Sequence, residues 1–370
     1  MARGRFVAPV AENDRHGRRH ESQCRRDVEH AGTSAASSLV GDALSTPAGL
    51  PVPPVARDGQ TFEGTSLLVR LANFVKLPHT VFGLPFALVG VCFASAVVTP
   101  TWHVIGWVLL AFTAARFAGM GFNRIVDRDV DALNPRTAMR EIPRGALTVT
   151  QATVAVLVMC VVFVVAAWQL NPLCLMLSPV ALFWVLGYSY TKRFTRWSHL
   201  WLGLGLGISP VGGYLAVTGA WSEPWWLLCA LSLAVMTWTG GFDILYALQD
   251  AEFDRREGLY SLPSSIGVRP AITVARVLHV ATVLCLATAV YADPLRLSNR
   301  VGAELAQALL WGGVALAAAL LVWEHRLVKA DDLGKLDAAF FTMNGIISMV
   351  FFVCVLAATL LTRQATLMGA

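Results

Sequence analysis

Long apolar runs follow one another along the chain from Leu67 onward. Each is close to the ~20 residues that a helix needs to cross the ~30 Å hydrocarbon core of a bilayer. Helices are expected because a segment in lipid must satisfy its own backbone hydrogen bonds. The pattern predicts nine membrane spans, at 79–99, 102–122, 150–169, 172–190, 199–219, 224–246, 271–292, 303–323 and 338–361. We therefore expect an all-α membrane protein with its helical domain at 67–365.

Composition supports this class. The 370 residues are 56% hydrophobic and only 14% charged, whereas about a quarter of the residues in soluble domains are charged. This excludes a soluble globular enzyme and a nucleic-acid-binding protein. Residues 1–60 differ, because they are rich in Arg, His, Ser and acidic residues and end in a proline-rich segment. They are too polar to form a core, and we expect a disordered cytoplasmic tail.

Basic residues lie mainly in alternate loops. Five arginines occupy the loop 123–149, and the loops after the fourth, sixth and eighth spans are also basic. The positive-inside rule places these loops and the N-terminus in the cytoplasm. The net charge of +5 is therefore explained by membrane topology and needs no nucleic-acid partner. We expect a multi-pass protein of a bacterial inner membrane.

Two polar stripes end the second and sixth spans. The stripes are Asn123, Asp127 and Asp131 in the first case, and Tyr246, Asp250 and Asp254 in the second. A spacing of four residues puts each stripe on one helical face, and Asp243 falls on the second face as well. The constant offset of 123 residues predicts a parallel repeat of about four helices. Sites in membrane proteins tend to form where such halves meet.

Converging carboxylates repel one another unless cations lie between them. Mg²⁺ takes oxygen ligands and binds one or two carboxylates together with substrate phosphates. The stripes therefore favour a diphosphate held through Mg²⁺. Lys192 and Arg193 end the fourth span on the same side, where they either grip the diphosphate or simply anchor the helix. The loops that follow the two stripes are candidates for a lid that keeps water from a reactive cation.

These motifs resemble the UbiA superfamily of intramembrane aromatic prenyltransferases, in particular its quinone branch. The resemblance covers about 70–362 and leaves the N-terminal tail outside. It rests on the Asn123-x-x-x-Asp127-x-x-x-Asp131 stripe, the Tyr246…Asp250…Asp254 stripe, the Tyr188-x-x-x-Lys192 element, and the segments 76–86 and 339–345.

The resemblance implies nine helices in two pseudo-repeated halves around a central cavity. It implies that Mg²⁺ and a polyprenyl diphosphate are held by Asn123, Asp127, Asp131, Asp250 and Asp254. The catalytic set would be the four aspartates with Lys192, and Tyr188, Arg193, Asp243 and Tyr246 would contact substrate. Many members have Asn-Asp where this chain has Asn123–Arg124, and position 124 lies off the acidic face.

The resemblance also implies an aromatic acid as acceptor. The segment 134–145 is similar to that of 4-hydroxybenzoate polyprenyltransferases, and it is equally similar to that of relatives acting on an aminofutalosine-type acid for menaquinone. Both acceptors stay open. The candidates for orienting the acceptor carboxylate are Lys76, His79 and Arg136, and Arg140 joins them as a substrate-binding residue.

A cation-coupled transporter is the main alternative from another class. Transport sites lie near the membrane midplane on broken helices, whereas these acids end their spans. A phosphatidyl-alcohol transferase also uses clustered aspartates, but its Gly-Ala-Arg pattern between the acids is missing here. A structural subunit has no need of two matched acidic stripes.

Overall fold

The computed structural model describes residues 62–292, 302–328 and 342–368, and the expected tail at 1–60 lies outside this range. All regular elements in the described ranges are helices. The α-helices are α1 (Leu67–Phe74), α2 (Leu84–Ala94), α3 (Trp102–Val126), α4 (Arg128–Leu133), α5 (Val149–Leu170), α6 (Pro172–Gly187), α7 (Ser198–Thr218), α8 (Trp226–Ala247), α9 (Ala251–Arg256), α10 (Leu262–Ile266), α11 (Val268–Tyr291), α12 (Ala303–Leu327) and α13 (Asn344–Met368).

Within the described ranges, eight helical stretches are long and apolar enough to cross a membrane. Seven of them correspond to α3, α5, α7, α8, α11, α12 and α13, and the eighth is α6 together with the 3-10 helix Tyr188–Arg193 that continues it. The all-helical class is confirmed, but the count of nine spans is not. In place of the first predicted span stand a 3-10 helix, Leu77–Phe82, and the 11-residue α2. Pro78 and Pro85 explain the division, because proline starts a helix readily and breaks one internally.

Local sequence sets several helix ends. Thr148 and Gln151 form a reciprocal capping box at the start of α5, which satisfies amide groups that have no partner within the helix. Asn171 accepts a hydrogen bond from the amide of Cys174 at the start of α6. Gly219 ends α7 in the left-handed conformation (φ 65°), which glycine adopts without strain.

Close helix contacts join α7 to its neighbours. It packs extensively against α2 and α8, and α8 packs in turn against α11. A side chain at Gly90 of α2 would lie 1.9 Å from the carbonyl oxygen of Pro210, and one at Gly213 would lie 2.0 Å from that of Ala87. Glycine is therefore required where α2 and α7 cross.

The core and the outer faces are both apolar. Trp238 is fully buried and lies 5.0 Å, between ring centroids, from Phe86. Val154, Leu157 and Val161 of α5 are instead exposed on the outside of the bundle. Apolar side chains on the outer face of a membrane-length helix are suited to contact with lipid tails.

Candidate active site

The two acidic stripes lie at matching interruptions of the helices. Asp127 separates α3 from the short α4, with φ −92° and ψ 5°. Asp250 precedes the short α9, with φ −100° and ψ 1°, after the 3-10 turn Leu248–Asp250 that ends α8. The repeat seen in the sequence thus has a counterpart in the backbone, since the same break occurs at positions 127 and 250.

One polar cavity of about 290 Å³ receives both stripes. The predicted site residues that line it are Lys76, Asn123, Asp127, Asp131, Arg136, Arg140, Tyr188, Lys192, Asp243, Tyr246, Asp250 and Asp254. Arg193 stands outside the lining but contacts Asp127. The side chain of His79 lies outside the described part of the structure. The residues singled out from the sequence are therefore neighbours in space.

Each motif aspartate has a basic partner. Arg193 Nη2 lies 2.9 Å from Asp127, Arg140 Nη1 lies 2.8 Å from Asp131, and Lys192 Nζ lies 3.8 Å from Asp254. Asp250 forms a two-pronged ion pair with Arg136. The mutual repulsion expected from the sequence is therefore offset by side chains of the chain itself.

The loop after the first stripe reaches across the site to the second. Arg136 binds Asp250 and donates to the Tyr246 hydroxyl at 2.7 Å, and the Asn134 amide donates to Asp250 at 3.0 Å. Thr137 donates to the backbone carbonyl of Asp131 at 3.0 Å. These contacts join the two halves through a single loop, in a position that covers the acidic residues.

A buried ion pair fixes the same loop to α3. Arg124 Nη1 lies 2.7 Å from Glu141 Oε2, and both side chains are almost inaccessible. Arg124 also contributes to the cavity wall. Although position 124 lies off the acidic face, its side chain is engaged inside the protein. Glu141 was not singled out from the sequence, because no local spacing relates it to Arg124, seventeen residues away.

The segment after the second stripe also closes on the site. The Tyr260 amide donates to the carbonyl of Lys192 at 2.7 Å, and the Leu259 amide donates to that of Asp254 at 2.8 Å. Leu259 lines the cavity. The end of the fourth predicted span and this segment are therefore joined through backbone hydrogen bonds beside Lys192.

An apolar cavity of about 270 Å³ adjoins the polar one. The residues that line both are Phe112, Arg116, Met120, Tyr188, Leu202 and Leu206. Arg116 lies on α3, seven residues before Asn123, and donates to the carbonyl of Val75 at 3.1 Å. It forms no ion pair with any described residue. The boundary between the two cavities thus carries a cation that is paired with none of the described carboxylates.

Asp243 lies deeper on α8 than the motif acids and faces the polar cavity. One of its oxygens is 2.6 Å from Nδ1 of His199, a residue of α7 that is 1% exposed. The hydroxyls of Thr239 and Ser198 line the same cavity and have no hydrogen-bond partner among the described residues. Unpartnered buried hydroxyls are costly, so they mark a position suited to a polar ligand.

The acids fit a hard divalent cation. Asn123 and the four motif aspartates offer oxygen ligands, the type that Mg²⁺ prefers. Asp254 is 2% exposed, and its Oδ2 makes no hydrogen bond within the described ranges. Among the residues described, no three His, Cys, Asp or Glu side chains are grouped as a ready metal site. Mg²⁺ commonly binds one or two carboxylates and takes its other ligands from water and substrate phosphates.

Burial changes the pKa of some of these side chains. Burial raises the pKa of Asp127 above its usual value, although the charge of the neighbouring Arg193 lowers it. The Arg140 guanidinium keeps a raised pKa despite burial, because Asp131 stabilises its charge. The Arg140 side chain is therefore charged at neutral pH.

Two residues of the site, Arg116 and His199, were not predicted, although their positions in the sequence indicate a functional role. Arg116 and His199 each stand in a predicted span or at its edge, where charged and polar side chains are expensive and mark functional sites by default. The acidic stripes were recognised by their regular spacing, whereas Arg116 and His199 belong to no spaced motif. Asn134 gave no such signal, since its contact with Asp250 joins segments 116 residues apart.

The sequence is related to those of known proteins. Residues 83–362 match the model of the UbiA prenyltransferase family. A 4-hydroxybenzoate octaprenyltransferase of Aromatoleum aromaticum is 31% identical over 258 residues, which are 70% of this chain and 82% of that relative. One from Methylobacillus flagellatus is 30% identical over 251 residues, which are 66% of this chain and 79% of that protein.

Solved structures have the same fold. The apo structure of a UbiA homolog from Aeropyrum pernix superimposes with a TM-score of 0.65 at 29% identity, covering 76% of this chain and 98% of that one. A UbiA homolog from Archaeoglobus fulgidus bound to DMAPP and Mg²⁺ gives 0.59 at 20% identity, covering 78% and 99%. Together with the eight membrane-length helices, the match over most of the chain identifies a multi-pass integral membrane protein that belongs to the UbiA prenyltransferase family.

Proposed function

We propose that the protein transfers a polyprenyl group from a polyprenyl diphosphate to the ring of an aromatic acid of the 4-hydroxybenzoate type, for quinone biosynthesis. The observation that carries the proposal is the meeting of two acidic stripes and four basic partners in a polar cavity that adjoins an apolar one. The names of the relatives from Aromatoleum aromaticum and Methylobacillus flagellatus support this substrate pair.

The polar cavity would hold the diphosphate. Asn123, Asp127, Asp131, Asp250 and Asp254 would hold Mg²⁺, which when bound neutralises the diphosphate and stabilises charge on the leaving group. The A. fulgidus homolog bound to DMAPP and Mg²⁺ supports this assignment. Lys192 and the arginines paired with the aspartates carry the positive charge that a diphosphate requires, so they can balance it directly.

The apolar cavity would hold the first isoprene units. Phe112, Met120 and Leu206 line both cavities, so a ligand spanning the boundary meets apolar walls on one side and charges on the other. The reacting carbon would lie at this boundary, where the bond between C1 and the diphosphate oxygen breaks and its electron pair leaves with the diphosphate.

The acceptor would bind between Arg116 and Asp243. Arg116 has no carboxylate partner in the described part of the chain, and a guanidinium binds a carboxylate through two hydrogen bonds. Asp243 has one oxygen directed at His199 and the other available to the acceptor hydroxyl. A ring carbon beside that hydroxyl would supply the electron pair for the new carbon–carbon bond, and the ring proton would then leave.

The loop 134–147 would exclude water. It is held to both stripes by Arg136 and Arg140 and to α3 by the Arg124–Glu141 pair. Exclusion of water matters because water can capture an allylic cation before the aromatic ring does. We place this loop and the N-terminus on the cytoplasmic side, on the strength of the basic loops.

Product analysis tests the proposal. Membranes containing the protein are given Mg²⁺, a mixture of prenyl diphosphates, and either 4-hydroxybenzoate or an aminofutalosine-type acid, and the lipids are analysed by mass spectrometry. Prenylated 4-hydroxybenzoate is expected. If only the aminofutalosine-type acid is prenylated, the acceptor in the proposal is wrong but the prenyl transfer itself is supported. Substrate-dependent ion flux in liposomes without any prenylated product would overturn the proposal in favour of transport.

A further inference from the structure

His199 is a buried histidine whose two ring nitrogens both have defined partners. Nδ1 lies 2.6 Å from Asp243 Oδ2, and Nε2 lies 3.2 Å from the backbone nitrogen of Leu262. A backbone amide can only donate, so Nε2 must be the unprotonated acceptor. The proton of the neutral ring is then on Nδ1, which donates to Asp243. The surrounding hydrogen bonds thus determine the tautomer.

His199 stands behind Asp243 as seen from the cavity. Asp243 lines the cavity and its side chain is 23% exposed, whereas that of His199 is 1% exposed. A substrate therefore touches the carboxylate and not the imidazole. The hydrogen bond from Nδ1 holds one carboxylate oxygen and so fixes the direction in which the other points.

Leu262 connects this pair to the rest of the site. It is the first residue of α10, directly after the segment in which Leu259 lines the cavity and Tyr260 binds the carbonyl of Lys192. The amide that fixes the His199 tautomer thus belongs to the chain segment that closes the polar cavity.

We infer that His199 is a positioning residue that holds Asp243 as the proton acceptor for the hydroxyl of the aromatic substrate. The inference rests on the proposed function. The hydroxyl proton passes to Asp243, the ring carbon forms its bond to prenyl C1, and the C1–oxygen electron pair leaves with the diphosphate. Loss of the ring proton and return of one proton to the oxygen restore the phenol, so the net products are prenylated acid, diphosphate and one proton.

Two amide substitutions separate the two hydrogen bonds. In His199→Asn the side-chain NH₂ takes the place of Nδ1, so the donor to Asp243 is kept and the acceptor for Leu262 is lost. In His199→Gln the carbonyl oxygen takes the place of Nε2, so the acceptor is kept and the donor is lost. Folding of both variants is checked by gel filtration and thermal midpoint.

We expect His199→Gln to have a kcat about 10- to 100-fold below that of His199→Asn, the value of a hydrogen bond to a charged group. The KM for prenyl diphosphate and the binding of a non-reactive prenyl thiodiphosphate with Mg²⁺ should not differ between them. If His199 only stabilises the fold, kcat should fall equally in the two variants, or further in His199→Asn. Either result would overturn the inference.

A double substitution provides the second measurement. In an Asp243→Asn background, His199→Gln should cause no further loss of kcat, because the carboxylate that it positions is gone. Independent, multiplying losses would contradict the inference even if one single variant folds poorly. If the unmodified protein forms no prenylated acid, the proposed function fails and the inference with it. If it does form product and the variants behave alike, the inference alone fails.

Discussion

Asp127 and Asp250 occupy the same place in the two halves of the protein, each at the break between a long helix and a short one. The break turns the chain so that residues on both sides of it face the cavity. Asp127 is paired with Arg193 and Asp250 with Arg136, and both arginines belong to the first of the two halves. The symmetry therefore covers the spacing and the helix break, whereas the charge balance of both stripes comes from the first half.

Substitution of Asp127 tests whether this position belongs to the reaction. Asp127→Asn removes a charged ligand, and we expect kcat/KM for prenyl diphosphate to fall about 100- to 1000-fold, the usual cost of losing an electrostatic contact in a site. Asp129→Asn is the matched control, because Asp129 is two residues away and its side chain is 81% exposed. Equal activity in the two variants would remove Asp127 from the site.

Metal removal tests the cation requirement. EDTA should abolish turnover, and Mg²⁺ should restore it. The thermal midpoint should hardly change, because the motif aspartates are already balanced by Arg136, Arg140, Lys192 and Arg193. Full turnover in EDTA would exclude a metal-held diphosphate, and unfolding in EDTA would show that the ion also holds the fold.

Arg116 is expected to set the affinity for the acceptor. Arg116→Leu removes the proposed partner of the carboxylate, so the KM for the aromatic acid should rise about 10- to 100-fold while the KM for prenyl diphosphate is unchanged. A phenol without a carboxylate is the control substrate. Turnover of this phenol should be the same in the unmodified protein and in Arg116→Leu. A loss of turnover as large as that seen with the aromatic acid would contradict the assignment.

The buried Arg124–Glu141 pair is expected to contribute to stability mainly through charge compensation. Glu141→Leu leaves the Arg124 guanidinium without this counter-charge and should destabilise the protein by about 3–5 kcal/mol. Arg124→Met with Glu141→Leu should recover most of that loss, since burying two apolar groups is nearly neutral. Thermal unfolding in detergent measures both. A double variant less stable than the single one would refute this account.

The sequence predicts what depends on periodicity. Apolar length located the spans, and the offset of 123 residues located two acidic breaks that line one cavity. The first span was wrong in length because two prolines divide an apolar run into short helices. The contacts of Asn134, Glu141 and His199 could not be predicted, because their partners lie 116, 17 and 44 residues away and follow from how the helices pack.

The size of the apolar cavity has a consequence for the prenyl chain of the proposed donor. A volume of about 270 Å³ encloses only the first few units of a polyprenyl chain, so under the proposed function the remainder stays among the acyl chains of the bilayer throughout turnover. The protein would then not select its donor by the number of isoprene units. On this account, the length of the transferred chain is the length of the diphosphate that the protein is supplied with.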